Sequence, residues 1–247
     1  MRTLRFLSAA ALLVCLPGRA DAQSVPNRIW VSVNLGMQMP GDDISDRFEF
    51  ERFVETATVD ADYDVEPGVS FDGGLGVLLW KRLGAAVAVS RFSRDGGTQV
   101  DARIPHPFFD NRHREIFGTT DSVTRGETGI HMQATITAEA GDKFIVVLSG
   151  GPSYLRVDQD LVSGVLYAES FPFDEATFTS SELSRSSGSA LGFNAGADLM
   201  WMAGRQWGVG GLLRYSRATV DLDTDDGRTI AVKAGGFQAG AGVRLRF

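Results

Sequence analysis

The sequence is poor in the residues that mark several common classes of protein. Its one cysteine, Cys15, lies near the N-terminus, so the chain beyond it has no disulfide or thiol chemistry. Lysine occurs only at Lys81, Lys143 and Lys233, and the net charge of −7 argues against nucleic acid as a partner. No later apolar run reaches the ~20 residues that a membrane-spanning helix needs. The 29 glycines are instead typical of a chain with many strands and turns.

The N-terminal segment predicts export. The stretch MRTLRFLSAAALLVCLPGRADAQ has basic Arg2 and Arg5, then an apolar core, and then the small-residue site Ala20-Asp21-Ala22. These are the three parts of a secretory signal peptide. We therefore expect residues 1–22 to be removed and residues 23–247 to form a single barrel domain, with a net charge of −9.

Apolar residues alternate with small or polar residues along most of the remaining chain. From Ile29 to Met39 every odd position is apolar, and the even positions are polar or glycine apart from Trp30. Such alternation predicts strands with two unlike faces. About eight segments of this kind occur, each close to the ~10 residues that cross a bilayer at a tilt. In the segment from Phe144 to Val157 both parities are apolar, so its faces stay unassigned.

The connections between these segments alternate in length. KRLG, GDK and AGRQ are tight turns, and they alternate with four long polar stretches: Pro40 to Pro67, Arg94 to Gly126, Asp158 to Ser189, and Asp221 to Arg228. Short turns at one end and long loops at the other are typical of outer-membrane barrels. The sequence therefore predicts an all-β fold, a transmembrane antiparallel up-and-down β-barrel of about eight strands with short periplasmic turns and long external loops.

A soluble periplasmic ligand-binding barrel is the main structural alternative. A barrel wall in water would carry Lys and Glu, whereas the polar faces here hold mostly Gly, Ser, Thr, Asn and Gln, which suit a narrow lumen filled by side chains. Aromatic residues also gather at the short-turn ends of the segments, as in an interfacial girdle: Trp80, Phe144, Trp201, Trp207 and Phe247. Both features favour the membrane barrel.

The C-terminal stretch VRLRF, the export signal and the alternating segments together resemble the small outer-membrane barrels of the OmpA and OmpX type. The resemblance implies that Phe247 is the terminal aromatic residue read by the barrel-assembly machinery, with Leu245 and Val243 as the alternating positions of the assembly signal. It also implies localisation in the outer membrane, among its lipid and lipopolysaccharide, without an additional periplasmic domain. An external protein partner is not identified by the resemblance.

Polar side chains of the alternating segments predict a network inside the lumen. Its members are Asp72, His131, Gln133, Glu139, Asn194, Asp198, Arg214, Arg244 and Arg246. Buried charges of both signs must pair or carry a large desolvation cost. We therefore expect Arg214 to pair with a carboxylate such as Asp198 on the preceding strand. No cofactor is predicted.

Catalysis is the second functional alternative. His106 and His113 lie near Asp110 and Glu115, in a pattern that fits a metal or acid/base cluster, or else a loop that packs over the barrel mouth. The serine-histidine motif of lipid A deacylases is not found. In DLDTDDGR, Asp226 stands where a calcium loop needs glycine, which favours a hairpin turn. We predict that the chain is not an enzyme, with a lipid-modifying enzyme as the alternative.

The first long stretch is strongly acidic. Its carboxylates are either simply solvated or bind divalent cations weakly among lipopolysaccharide phosphates. The odd positions from Val59 to Leu79 keep one apolar parity, which predicts one continuous strand whose first half stands above the outer surface of the membrane, with a bulge at Pro67 and a partner segment around Phe48 and Phe50. We expect a structural or surface-interaction role through these external loops, and not a diffusion pore.

Overall fold

The computed structural model describes residues 28–41, 44–141, 143–224 and 226–247, with the backbone only for Ser122. The predicted signal peptide, residues 1–22, lies outside the described residues. Ten strands form the described fold: β1 (Ile29–Met39), β2 (Ile44–Arg52), β3 (Glu55–Tyr63), β4 (Gly68–Trp80), β5 (Leu83–Pro105), β6 (His113–Ala140), β7 (Phe144–Glu169), β8 (Ala176–Met202), β9 (Trp207–Asp223) and β10 (Thr229–Arg246). These residues include no helix long and apolar enough to traverse a bilayer.

Eight of the strands close into a ring. β1 pairs with β4 on one side and β10 on the other, β5 pairs with β4 and β6, and β6 to β10 pair in sequence order. All of these pairings are antiparallel, which confirms the predicted up-and-down barrel. The remaining strands, β2 and β3, form a hairpin that pairs with the second half of β5.

Two of the predicted external loops are mostly extensions of the barrel strands. The stretches from Arg94 to Gly126 and from Asp158 to Ser189 continue the barrel strands, so that β5, β6, β7 and β8 have 23, 28, 26 and 27 residues. These strands are more than twice the ~10 residues needed to cross a bilayer. The barrel therefore extends well beyond the membrane on the long-connection side, and the expectation of long loops is wrong for these two stretches.

The membrane half of the barrel turns its apolar side chains outward. Val33, Leu75, Val87, Ile136 and Leu199 are each about half exposed on this face. The predicted aromatic girdle also faces outward at the short-turn end, where Trp80, Phe144, Trp201, Trp207 and Phe247 are 42–67% exposed. This outward apolar band is the surface that a lipid-facing barrel wall presents.

Above the band the two faces of the wall exchange polarity. On β9 the inward residue Ser216 is followed by inward Ala218, Val220 and Leu222, while the outward residue Tyr215 is followed by polar residues. The same exchange occurs on β5 and β7. On these strands the same set of alternate positions points inward within and above the band. The upper half of the barrel thus encloses a dry core, whose members include Phe48, Val59, Val100, Ile104, Ile116, Leu155, Val157, Leu161, Val220 and Val232.

The strand predicted from Val59 to Leu79 is interrupted. β3 ends at Tyr63, β4 begins at Gly68, and both pair with β5. Tyr63 pairs with Thr98 and Val69 with Ser93, so five residues between these pairs on one side oppose four on the other. The extra residue moves the odd positions from the inner face in β3 to the outer face in β4. The hairpin with the segment around Phe48 and Phe50 is confirmed.

Candidate functional site

A buried ion pair crosses the middle of the lumen. Arg214 Nη1 on β9 lies 2.5 Å from Asp72 Oδ2 on β4, and both side chains are 2–3% exposed. Asn34 donates to the same carboxylate at 3.0 Å, and Gln238 accepts from Arg214 at 3.3 Å. The predicted partner Asp198 is therefore wrong, because strand tilt brings Arg214 opposite a strand that is three positions away in the ring.

Asp198 instead pairs with Arg244 on β10. The guanidinium of Arg244 donates from Nε at 3.0 Å and from Nη2 at 2.7 Å to the two carboxylate oxygens, and the Arg244 side chain is fully buried. This two-point contact has the geometry that compensates best for burying two charges.

An uncharged network occupies the lumen beside these pairs. His131 lies between two hydroxyls, with Ser90 Oγ at 2.9 Å from Nε2 and Ser153 Oγ at 2.8 Å from Nδ1. Gln133 donates to Asn194 at 2.7 Å, and Asn194 donates to Ser153 at 2.8 Å. These buried polar groups satisfy one another, which accounts for His131 without a catalytic role.

A third charged layer, which the sequence analysis missed, lies where the lumen meets the dry core. Arg125 donates to Glu127 at 2.7 and 2.9 Å, and the other Glu127 oxygen accepts from Gln38 and from the N–H of Gly235, each at 2.8 Å. Gly235 has a φ of 88°, a conformation in which glycine is favoured. Arg125 and Glu127 share the inward parity of His131, but assigning Arg125 to a loop concealed this.

Glu139 and Arg246 lie below the rest of the predicted network. Both lie at the short-turn mouth of the barrel, where they line a cavity that opens towards the periplasmic side of the predicted topology. Glu139 is exposed there. Their parity was read correctly, but the barrel wall ends before either side chain is enclosed.

Above the lumen, the β7–β8 hairpin packs across the barrel. The hydroxyl of Tyr63 on β3 accepts from the N–H of Val162 at 2.7 Å, and Thr120 on β6 donates to Ser181 on β8 at 2.8 Å. Tyr63 is 3% exposed, and this burial raises its pKa to about 12. The hairpin therefore closes the external half over the dry core.

The predicted histidine cluster is not assembled. The side chain of His106 is fully buried; its Nδ1 accepts from the N–H of Phe108 at 3.1 Å and its ring packs 4.8 Å from that of Phe109. His113 lies instead near Glu55, at 3.9 Å. Glu115 pairs at 3.5 Å with a neighbouring strand residue, Arg103. The described residues include no group of three or more His, Cys, Asp or Glu side chains that could hold a metal ion.

Three external connections meet at the tip of the barrel. Arg114 joins two of them, donating to the carbonyl of Pro105 at 2.8 Å and to Glu169 at 2.5 Å. The third is joined by Glu55, which accepts from the N–H of Asn111 at 2.9 Å. Five exposed apolar side chains lie on these connections, and we call them the apolar tip: Phe53 (40% exposed), Val54 (101%), Phe108 (68%), Phe109 (55%) and Phe171 (82%).

The acidic stretch is an ordered hairpin with internal ion pairs. Arg47 on β2 contacts both oxygens of Asp60 on β3, at 2.5 and 2.8 Å. The hydrogen bond from Arg47 holds the pKa of Asp60 below its usual value. Arg228, in the β9–β10 connection, reaches Asp46 at 2.7 Å and lies 4.9 Å from the Phe48 ring. The hairpin is thereby fixed to the rest of the barrel.

The C-terminal residues of the predicted assembly signal face outward. Phe247 exchanges backbone hydrogen bonds with Ile29 at 2.8 and 3.0 Å, beside the ladder that closes the ring between β1 and β10. Val243, Leu245 and Phe247 are 52%, 38% and 57% exposed. All three side chains therefore belong to the outward apolar band.

Comparison with known proteins identifies the fold. No family model matches the chain, and no curated protein sequence matches it. The structure is similar to that of the outer membrane protein OprG from Pseudomonas aeruginosa, with a TM-score of 0.51 and 12% identity over 90% of this chain and 96% of that one. It is also similar to the outer membrane protease OmpT from Escherichia coli, with a TM-score of 0.50 and 10% identity over 90% and 98%. The fold is that of an outer-membrane β-barrel.

Proposed function

We propose that this chain is an outer-membrane barrel that displays a rigid external surface for interaction with other molecules, and that it is neither a diffusion pore nor an enzyme. The observation that carries the proposal is the exchange of wall polarity above the apolar band. It gives the external half the interior of a soluble protein, with Ile104, Val157 and Val220 fully or almost fully buried.

A filled interior supports a role without conduction. A solute entering the barrel would meet the Arg214–Asp72 and Arg125–Glu127 pairs in the lumen and then the dry core. Removing one partner from a buried pair leaves an uncompensated charge, and separating buried apolar side chains loses their packing. Eight strands in any case enclose space only for side chains.

The apolar tip supports a role in surface interaction. Its exposed side chains are held on ordered connections, as the contacts of Arg114 and Glu55 demonstrate. Large exposed apolar groups with charged neighbours are typical of protein or membrane interaction sites. A preordered surface also loses less conformational entropy on binding than a flexible loop would.

The absence of catalysis is part of the proposal, because a protease is among the structures with the same fold. In this chain the fully buried His106 has its Nδ1 engaged by the backbone, and His131 is held by two serines in the lumen. Neither arrangement offers an accessible base beside a nucleophile. A lipid A mass profile that changes when the protein is expressed would contradict this part of the proposal.

The surroundings of the barrel are also proposed. The apolar band would contact outer-membrane lipid and lipopolysaccharide, and Val243, Leu245 and Phe247 would be read by the barrel-assembly machinery before the ring closes. The acidic hairpin lies on the external side, where its exposed carboxylates would face the lipopolysaccharide layer.

Planar-bilayer recording tests the closed interior. Wild-type barrel, refolded and confirmed by its altered gel mobility before boiling, is expected to give no steady conductance. Stable, voltage-independent channels from the wild-type protein would refute the closed-barrel proposal.

Cell attachment tests the surface role. Cells displaying the triple variant Val54→Ser, Phe108→Ser and Phe171→Ser should attach to surfaces and to one another less than cells displaying the wild type. The matched control is Phe117→Ser, which removes a 66% exposed phenylalanine on the outer wall of β6 that is not part of the apolar tip. Equal attachment by wild type and triple variant, at equal surface expression, would remove the proposed role of the tip.

A further inference from the structure

A cavity of about 610 Å³ opens at the short-turn end of the barrel. Adjacent strands supply its charged and polar lining: Arg28 before β1, Lys81 and Arg82 in the β4–β5 turn, Thr137 and Glu139 on β6, and Arg246 on β10. None of these residues belongs to the lumen network or to the external surface.

Backbone hydrogen bonds hold Arg28 and Arg82 at the β4–β5 turn. Leu78 donates its N–H to the carbonyl of Arg28 at 2.7 Å, and Thr137 donates its N–H to the carbonyl of Arg82 at 2.8 Å. A bulge between Leu78 and Trp80 and the positive φ of 44° at Lys81 turn the chain sharply between these contacts. The cationic side chains are thus gathered at one edge of the barrel.

Thr137 provides an independent sign of a ligand. Thr137 lines the cavity and is only 7% exposed as a residue, and its buried Oγ1 has no hydrogen-bond partner among the described residues. A buried hydroxyl without a partner is costly, so such groups are usually satisfied by something bound.

The charges of the cavity define what would bind. In the described part of the chain no carboxylate lies within ion-pair distance of Arg28, Lys81 or Arg82. Uncompensated cations around a polar cavity attract an anion, and guanidinium groups match the oxygens of phosphate. Of the cavity-lining residues that the structure describes, Glu139 alone carries a carboxylate, and it would accept a positive group on the same ligand.

The position of the cavity defines where the ligand comes from. Leu79 and Trp80, 64% and 67% exposed on the outward face, also line it, so the cavity reaches the lower edge of the apolar band. Phosphate headgroups lie at this level of a bilayer, and aromatic and basic side chains are typical anchors there.

We propose that this cavity binds the headgroup of a zwitterionic phospholipid from the inner leaflet of the membrane. The phosphate contacts Arg28, Lys81 and Arg82 and accepts from the Thr137 hydroxyl, the ammonium group contacts Glu139, and the acyl chains lie along Leu79 and Trp80. The proposal rests on the membrane placement proposed above, and not on the external role or the closed lumen.

Native mass spectrometry of the detergent-folded barrel tests the site, with phosphatidylethanolamine, phosphatidylglycerol and free phosphoethanolamine as probes. The double variant Lys81→Gln and Arg82→Gln should bind both lipids about tenfold more weakly or worse. Glu139→Gln should weaken phosphatidylethanolamine alone. Thr137→Val should also weaken lipid binding, whereas Thr135→Val, which removes another buried hydroxyl without a partner but outside this cavity, should not.

Each variant must first show the gel mobility of the folded barrel, so that misfolding is not read as lost binding. Equal lipid binding by the wild type, the double variant and Thr137→Val would overturn the site. Free phosphoethanolamine binding as tightly as the lipid would overturn its assignment to a membrane lipid. Conductance or attachment results would leave this inference unchanged, so its failure is distinguishable from failure of the proposed function.

Discussion

The guanidinium of Arg214 contacts the carboxylate of Asp72 at 2.5 Å across the lumen, although 142 residues separate them in the sequence. Their strands are not neighbours in the ring, because β1 and β10 lie between β4 and β9. The pair therefore links two parts of the wall that share no backbone hydrogen bonds.

Breaking this pair should be strongly destabilising. Asp72→Asn or Arg214→Met should each lower the free energy of unfolding by ~3–5 kcal/mol, because each leaves one buried charge without its partner. Urea titrations of the barrel in lipid vesicles measure the effect. The double variant should lose less than the sum of the two single losses. The control is Arg47→Met, in an exposed pair, with an expected loss of ~1 kcal/mol or less.

Arginine scanning along β5 should reveal the exchange of wall polarity. Val87→Arg, on the outward face at the apolar band, should lower the free energy of unfolding by ~2–4 kcal/mol. Arginine at the outward residues Val33, Ile136 or Leu199 should have the same effect. Gln99→Arg, on the same outward face of β5 but above the band, should change the free energy of unfolding by no more than ~0.5 kcal/mol. Folding titrations in which Val87→Arg and Gln99→Arg lose equal stability would contradict the assigned membrane boundary.

Tyr63 should ionise at a higher pH than an ordinary tyrosine. Its folded pKa of about 12 lies above the ordinary value of 10 because the phenol is buried, so the associated stability is complete below pH ~10 and is lost as the pH rises through ~12. Absorbance of the folded barrel at alkaline pH should show a late phenolate step. That step should vanish in Tyr63→Phe, which also leaves the N–H of Val162 without its acceptor and should cost ~1–3 kcal/mol.

Phe247 should matter more for assembly in cells than for stability. Phe247→Ser removes an outward side chain but keeps the backbone bonds with Ile29, so refolding into vesicles in vitro should lose only ~1–2 kcal/mol. The amount of folded barrel in the outer membrane of expressing cells should fall severalfold. Phe237→Ser, on the outward face near the middle of β10, is the matched control. Similar yields in cells for the two variants would argue against recognition of the terminus.

Local alternation was enough to predict the membrane half of this fold. β1 was read residue by residue, since lipid on one side and a polar lumen on the other leave a strict pattern of period two. The upper half of β5 was assigned to a loop, because its apolar residues face inward and its polar residues face water, which is the reverse of the pattern in the band. An exchange of this kind is visible only when both halves of a strand are read with one parity.

The lumen network was predictable in its members but not in its contacts. The inward parity placed Asp72, Asp198, Arg214 and Arg244 correctly. Their pairing depends on the tilt of the strands and the stagger between them, which bring distant strands face to face. The cavity at the short-turn mouth depends on a bulge in β4 that no alternation pattern indicates.

The exchange of wall polarity also fixes the depth at which the barrel sits. Arg91, Arg156 and Arg217 lie on the outward face directly beyond Val89, Tyr154 and Tyr215, at the upper edge of the apolar band. Sinking the barrel by two residues, ~7 Å along a strand, would carry these arginines towards hydrocarbon, and raising it would bring apolar side chains into water. Movement along the membrane normal is opposed in both directions. The outward residues of the barrel wall therefore set the height of the external tip above the bilayer.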